Sequence, residues 1–204
     1  MSRSRMITHS ITLVLLIVMV LTATGQPVRA VPTAEYVSNV DMTYDDPTKT
    51  ACTTSDDDCS RRGAISFANA TTEGSVTHIT IPPGTYYFSR SGSGENLNAT
   101  GDLDILYRDV YLHGINNETT LIDGQIYDRV FDNHGGTLTM EHLKIAQGRA
   151  PGGNMGGGAI LNRSGAKQIL NDVIINNNSV LGTDPNNDYG GGISNYGIMT
   201  IQFS

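Results

Sequence analysis

The chain repeats itself. Leu138–Ile145 (LTMEHLKI) aligns with Gln168–Ile175 (QILNDVII) at an offset of 30 residues, which sets Met140 on Leu170, Leu143 on Val173 and Ile145 on Ile175. Gly157–Asn162 (GGAILN) aligns with Gly190–Asn195 (GGGISN) at an offset of 33, and Gly136–Met140 with Gly197–Ile201 at 61, close to two periods. A period of this size marks a stacked architecture, because a unit so short cannot bury its apolar side alone and must lie on its neighbours. Within each unit, β-branched or aliphatic runs alternate inward and outward positions, glycine and asparagine separate them, and ten helical residues never follow in a row. Parallel strands normally need a helical crossover. A chain that coils back to the same strand position every turn dispenses with it, so the expected fold is all-β, a parallel β-helix or solenoid. Its coils are expected over about residues 76–204, after an N-terminal cap over about 31–75.

Composition agrees. The 204 residues include 23 glycines and 16 asparagines but no tryptophan, a turn-rich balance that excludes a helical bundle, and the 38% hydrophobic content is too high for a disordered chain. The formal charge is -7, and three arginines fall in the first 30 residues, so the remainder carries 10 basic against 20 acidic groups. That excess argues against nucleic acid or an anionic membrane as partner.

Residues 1–30 read as an export signal. Arg3 and Arg5 form a basic start, Ile11–Leu21 is an almost unbroken apolar run, and Val28-Arg29-Ala30 offers small residues for cleavage after Ala30. An 11-residue run is too short for the roughly 20 residues a membrane-spanning helix needs, so no transmembrane helix is expected in a mature chain of 31–204. The expected location is secreted or on a cell surface. In that oxidising setting Cys52 and Cys59, with six residues between them, match no zinc or redox CxxC spacing and are expected to close a local disulfide. Asp56-Asp57-Asp58 inside that loop lacks the alternating ligand spacing of a calcium loop and reads as solvated.

A family resemblance follows from these residues. Cys59-Ser60-Arg61-Arg62-Gly63-Ala64-Ile65 with the trailing Ala68-Asn69-Ala70 resembles the C-S-L-R-E-A-I opening of CSLREA-domain proteins, which are exported bacterial right-handed parallel β-helix proteins. The similarity continues through Ile79–Tyr86, Asn98–Ile105, Thr120–Gly124 and Asp128–Phe131, and Gly157-Gly158-Ala159-Ile160 is similar to the GGAI repeat of chlamydial polymorphic outer membrane proteins. The resemblance implies a right-handed, pectate-lyase-like solenoid. It also implies a short capping helix, expected over Arg62–Ala70 with Ala64, Ile65 and Ala68 on one face. Gly63 stands where the family has Glu, so Ser60 caps the helix without the reciprocal partner of a capping box.

Chemical signatures are sparse. Nucleophile-elbow, zinc-protease, P-loop and dinucleotide motifs are absent, so no catalytic and no cofactor-binding residue is assigned. His113-Gly114, His134-Gly135 and Asp45-Asp46 echo the dipeptides of polygalacturonase-like sites, but the accompanying N-T-D and R-I-K do not occur. Asp102, Asp104, Asp123, Asp128, Asp132 and Arg129 form the one cluster dense enough for a metal or lyase site, with Asp102 and Asp104 the weak candidates for calcium. Their alternation with Leu103 and Ile105 reads more simply as a solvated strand face. Asn162, Asn195 and Asn176–Asn178 are expected to stack in ladders between coils or to take left-handed turns.

Two function classes remain. One is a non-catalytic structural or adhesin-like module that binds glycans or other surface partners through the glycine-rich loops after Gly148 and Leu181. The other is a carbohydrate-active enzyme, a polysaccharide lyase or glycoside hydrolase. The sequence also predicts that the last coil, begun by Ile198–Ser204, lacks a capping element.

Overall fold

A computed structural model describes residues 34–152, 155–182 and 190–202. The expected export signal, with its cleavage after Ala30, lies outside them. Where the sequence alternates, the chain forms strands: buried and half-exposed positions alternate through β2 (Val76–Ile81) and β5 (Asp109–Gly114). With β1 (Glu35–Asn39), β8 (Gly136–Ala146), β11 (Ala166–Asn176) and β14 (Ile198–Gln202) they make one long sheet in the order β1-β2-β5-β8-β11-β14. Strands β3 (Gly84–Tyr87) and β6 (Thr120–Asp123) extend it, β6 pairing the second half of β8. Four three-residue strands, β4 (Leu103–Ile105), β7 (Phe131–Asn133), β10 (Ile160–Asn162) and β13 (Ile193–Asn195), form a second sheet. β9 (Arg149–Pro151) and β12 (Ser179–Leu181) form a third, so Arg149–Pro151 is a strand and not part of a loop. Among the described residues every pairing between these strands is parallel, and the chain is a β-solenoid.

The three sequence self-matches are the register of this stack. Gln168 pairs Leu138, Leu170 pairs Met140, Val173 pairs Leu143 and Ile175 pairs Ile145. Ile160 pairs Ile193 and Asn162 pairs Asn195, while Thr137 and Ile198 flank Lys167 from its two sides. Side chains one register apart therefore stack in columns. The column Ile79, Leu112, Met140, Leu170 is at most 3% exposed, and each such side chain contributes about 1.5–3 kcal/mol by leaving water. Ile201 continues that column on β14 and is 48% exposed, because β14 has no further neighbour among the described residues. The asparagines stack as expected: Asn133 Nδ2 donates to Asn162 Oδ1 at 3.2 Å, and Asn162 Nδ2 to Asn195 Oδ1 at 2.7 Å. This ladder sits within strands, and only Asn177 among the expected positions takes a left-handed turn.

Halfway along β8 and β11 the backbone turns a corner. His142 (φ 55°) and Asp172 (φ 52°) drop out of the ladder there, so each strand contributes to both parts of the bent sheet.

One helix, α1 (Arg61–Ala70), precedes β2 and buries Ala64, Ile65 and Ala68. Ser60 caps it, its Oγ accepting from Gly63 N at 2.8 Å. A Cβ at position 63 would lie 1.8 Å from the Lys49 carbonyl oxygen, so no glutamate fits there and the departure from the capping box is forced by packing. Arg62 donates to the carbonyls of Gly101 and Asp102 and, from Nε, to Asp45 Oδ1 at 2.6 Å, while Asn69 bonds the backbone of Asp104 and Leu106. The helix thus satisfies polar groups around the outer edge of β4. Cys52 and Cys59 are joined by a disulfide, with Asp56 and Asp57 exposed in the loop it closes.

Glycines in the region after β8 serve close packing. A Cβ on Gly148 would meet the Gly158 carbonyl oxygen at 1.9 Å, a contact between successive coils that only glycine permits.

Candidate functional site

Among the described residues, two groups of titratable side chains have opposite character. The first is the acidic cluster. Asp102 and Asp104 are 3% and 0% exposed, which corrects the solvated strand face expected for them. β4 is covered on its outer edge by α1 and by the segment that carries Asn98, whose N–H donates to Asp104 Oδ2 at 2.8 Å. Asp128, Arg129 and Asp132 are buried beside them, whereas Asp123 lies elsewhere, in a depression of about 320 Å³ with Gln125, Ile126 and Gln147.

Arginine and histidine side chains of the chain hold this cluster. Arg129 Nε is 3.2 Å from Asp102 Oδ2, Arg163 grips Asp132 with two bonds of 2.7 and 2.8 Å, and His134 Nε2 lies 2.9 Å from Asp104 Oδ1. Burial pushes the Asp102 carboxyl well above its usual range, and the neighbouring carboxylates of Asp104, Asp128 and Asp132 push it further, with Arg129 opposing. Burial likewise raises Asp104 and brings Asp128 up to about 6. Asp132 strengthens the Arg163 charge through its hydrogen bond. The ligand atoms of Asp104, Asp132 and His134 lie within 4.8 Å of one another. Both carboxylates are already engaged and the third donor is an imidazole, so the group does not present the free oxygen ligands that calcium takes. Asp102, the other residue expected for calcium, is outside this trio and turns to Arg129. A depression of about 150 Å³ lies over the cluster, lined by Glu95, Asn96 and Arg163.

The second group lies on the outward face of the long sheet and was missed from sequence, apart from the His113-Gly114 dipeptide. Register aligns Val37, His78, Tyr111, Thr139, Ile169 and Thr200 in one outward row, and Asn39, Thr80, His113, Glu141, Asn171 and Gln202 in the next. The Tyr111 ring lies between His78 and His113, with centroids 5.2 and 6.4 Å away, and His113 meets His142 edge-on at 5.6 Å. Glu141 Oε2 is 3.9 Å from His113 Nδ1 and 3.4 Å from His142 Nε2. His142 Nδ1 in turn lies 2.9 Å from Asp172 Oδ2, and Asn117 Nδ2 donates to Asp172 Oδ1 at 2.6 Å. Partial burial, then the nearby His142, lower the basicity of His113. A shallow depression of about 200 Å³ between Asp109, Tyr111, Thr137 and Thr139 adjoins the row. The signal that could have located this group was present: the 30-residue offset that aligns the apolar positions also sets His142 on Asp172.

Comparison of the chain with protein-family models, with curated proteins and with solved structures finds no match. Among the described residues no helix is long and apolar enough to cross a membrane. Function is therefore argued from the two groups themselves.

Proposed function

We propose that this chain is an exported, surface-exposed β-solenoid that binds polysaccharide along the outward face of its long sheet without cleaving it. The observation that carries this reading is the row His78, Tyr111, His113. It places a half-exposed aromatic ring amid hydroxyl, amide and imidazole groups repeated at strand spacing. A sugar ring offers the complement, an apolar face to stack and hydroxyls to bond at its edge. Contacts along one coil are few, so affinity is gained by repetition along a polymer.

The CSLREA-like segment supports the same picture. It favours a right-handed winding, the hand that parallel crossovers take almost without exception, with α1 as the cap of the first coil and residues 1–30 as the export signal. The loops after Gly148 and Leu181, expected from sequence to make the contacts, lie partly outside the described residues, and the sheet face takes that role here.

The enzymatic alternative draws on one observation, the buried carboxyls of Asp102, Asp104 and Asp128 held above their usual range beside Arg129. Screening the full-length protein against acidic and neutral polysaccharides, with and without calcium, and reading both retention and the release of reducing or unsaturated ends, separates the two. Retention without release is expected. Turnover that is abolished by Asp102→Asn, Asp104→Asn or Arg129→Lys would replace the binding role with a lyase or hydrolase.

A further inference from the structure

We infer that the depression at the end of β6 is a binding pocket for one neutral sugar residue, formed by Asp123, Gln125, Ile126 and Gln147. It shares no residue with the Tyr111 row and does not rest on that row binding anything. The backbone singles this place out. Gln125, Ile126 and Gln147 all take left-handed conformations, with φ of 51°, 55° and 56°. Tyr127 N donates to Gly124 O at 3.1 Å, so Gln125 and Ile126 are the central pair of a tight turn whose two positive φ values ordinarily call for Asn-Gly. A β-branched residue is the least suited to that conformation, and at 47% exposure the packing of Ile126 does not offset the strain. One coil on, position 177 stands beside 147 because Asn176 pairs Ala146, and it holds asparagine, the ordinary choice for the same conformation at φ 53°. Side chains of longer reach thus stand where the turns alone would take asparagine or glycine, and strain kept in this way points to a site.

The polar groups match a sugar's hydroxyls. Asp123 is 9% exposed, and its Oδ1 accepts from Gln125 N at 2.8 Å and from Gln125 Nε2 at 2.9 Å. Among the described residues its Oδ2 has no partner, and neither has the side-chain amide of Gln147, whose backbone carbonyl accepts from Ile126 N at 2.7 Å. A carboxyl oxygen accepts, and an amide both accepts and donates, which is the pattern adjacent sugar hydroxyls complement. Ile126 offers an apolar side chain to the C–H face of the ring. A volume of about 320 Å³ is at the small end for a ligand pocket, room for a single ring. Among the described residues no arginine or lysine lines it, so an acidic sugar would meet Asp123 without a counter-charge. One carboxylate and two amides also fall short of the oxygen set that calcium takes.

The test is a titration of the full-length protein with the methyl glycosides of glucose, galactose and mannose and with methyl glucuronide, followed by ligand-observed NMR. At least one neutral glycoside is expected to bind, and the glucuronide at least tenfold more weakly than the glucoside. Asp123→Asn and Gln147→Ala should each weaken the binding roughly tenfold, while Tyr111→Ala leaves it unchanged. Gln147→Ala removes an exposed side chain and so guards against loss of fold. Ile126→Gly supplies a readout that a purely structural residue would not give: it removes the strain and the apolar contact together, so the thermal midpoint should hold or rise while binding falls. No binding by any of the three neutral glycosides, equal binding of the glucuronide, or binding that survives both Asp123→Asn and Gln147→Ala would overturn the assignment. Binding lost in Tyr111→Ala and kept in Gln147→Ala would overturn it equally and move the sugar to the sheet face.

Discussion

The two polar groups of this solenoid use the same residue types and differ in what surrounds them. Around Asp102, Asp104, Asp128 and Asp132 the chain supplies its own partners, the guanidinium groups of Arg129 and Arg163 and the His134 ring, and excludes solvent. Around Glu141 it supplies histidines that are 36–40% exposed and stop short of closing hydrogen bonds to that carboxylate. A closed network in a low-dielectric interior fixes structure, and breaking it is costly. An open one on a flat face costs little to keep and is available to something outside. The difference lies in the cover: α1 and the segment carrying Asn98 lie over Asp104, whereas His113 and His142 keep 40% and 36% of their side chains exposed.

The contrast is easiest to break from inside. Arg129→Ala leaves Asp102 and Asp132 without their shared buried cation and should cost about 3–5 kcal/mol in urea unfolding. A cost below 1 kcal/mol would mean that the acidic cluster does not hold the coils together.

A pH scan of stability sharpens the same point. Because burial raises Asp128 to about 6 from an ordinary 3.8, the folded state binds more protons than the unfolded chain between roughly pH 4 and 6, so this group's contribution falls as pH rises through that window. The loss should be about 1–3 kcal/mol, and Asp128→Asn, which keeps the acceptor for Arg129 N–H, should flatten it. Stability that rises from pH 4 to 6 equally in both proteins would place the titration elsewhere.

On the outer face, Glu141→Gln and His142→Ala should shift unfolding by no more than about 0.5–1 kcal/mol, as exposed pairs do, checked by the same urea curves. Larger losses there would erase the distinction between the two groups.

Much of the fold could be read from the chain because a solenoid writes its register into its sequence. Met140 over Leu170 and Ile160 over Ile193 are both a repeat offset and a strand pairing. The disulfide was legible for a local reason, its short spacing, whereas α1 and its buried face were expected only from the resemblance of Cys59–Ala70 to the CSLREA opening. The burial of Asp104 was not legible. Alternation shows that a side chain points away from its neighbours in the strand, but not that a distant segment, here Asn98 and α1, covers it. The pairing of Arg163 with Asp132, 31 residues apart, likewise depends on which coil faces lie together. The outer group escaped because its members are polar and scattered over four coils, and a search guided by apolar matches passes over them. Gly63 shows the converse. A departure that looked like a lost capping partner is a tight contact with the Lys49 carbonyl, which belongs to a loop the helix rules do not describe.

Binding of a ligand on the outward sheet face at Tyr111 is tested by affinity electrophoresis through a gel containing a retained polysaccharide. Wild-type protein and Tyr111→Ala, shown to unfold at the same urea midpoint, are run side by side. The wild type should be retarded, and Tyr111→Ala should lose roughly tenfold or more in affinity, the loss expected for a central aromatic contact. Equal retardation of the two proteins would contradict it.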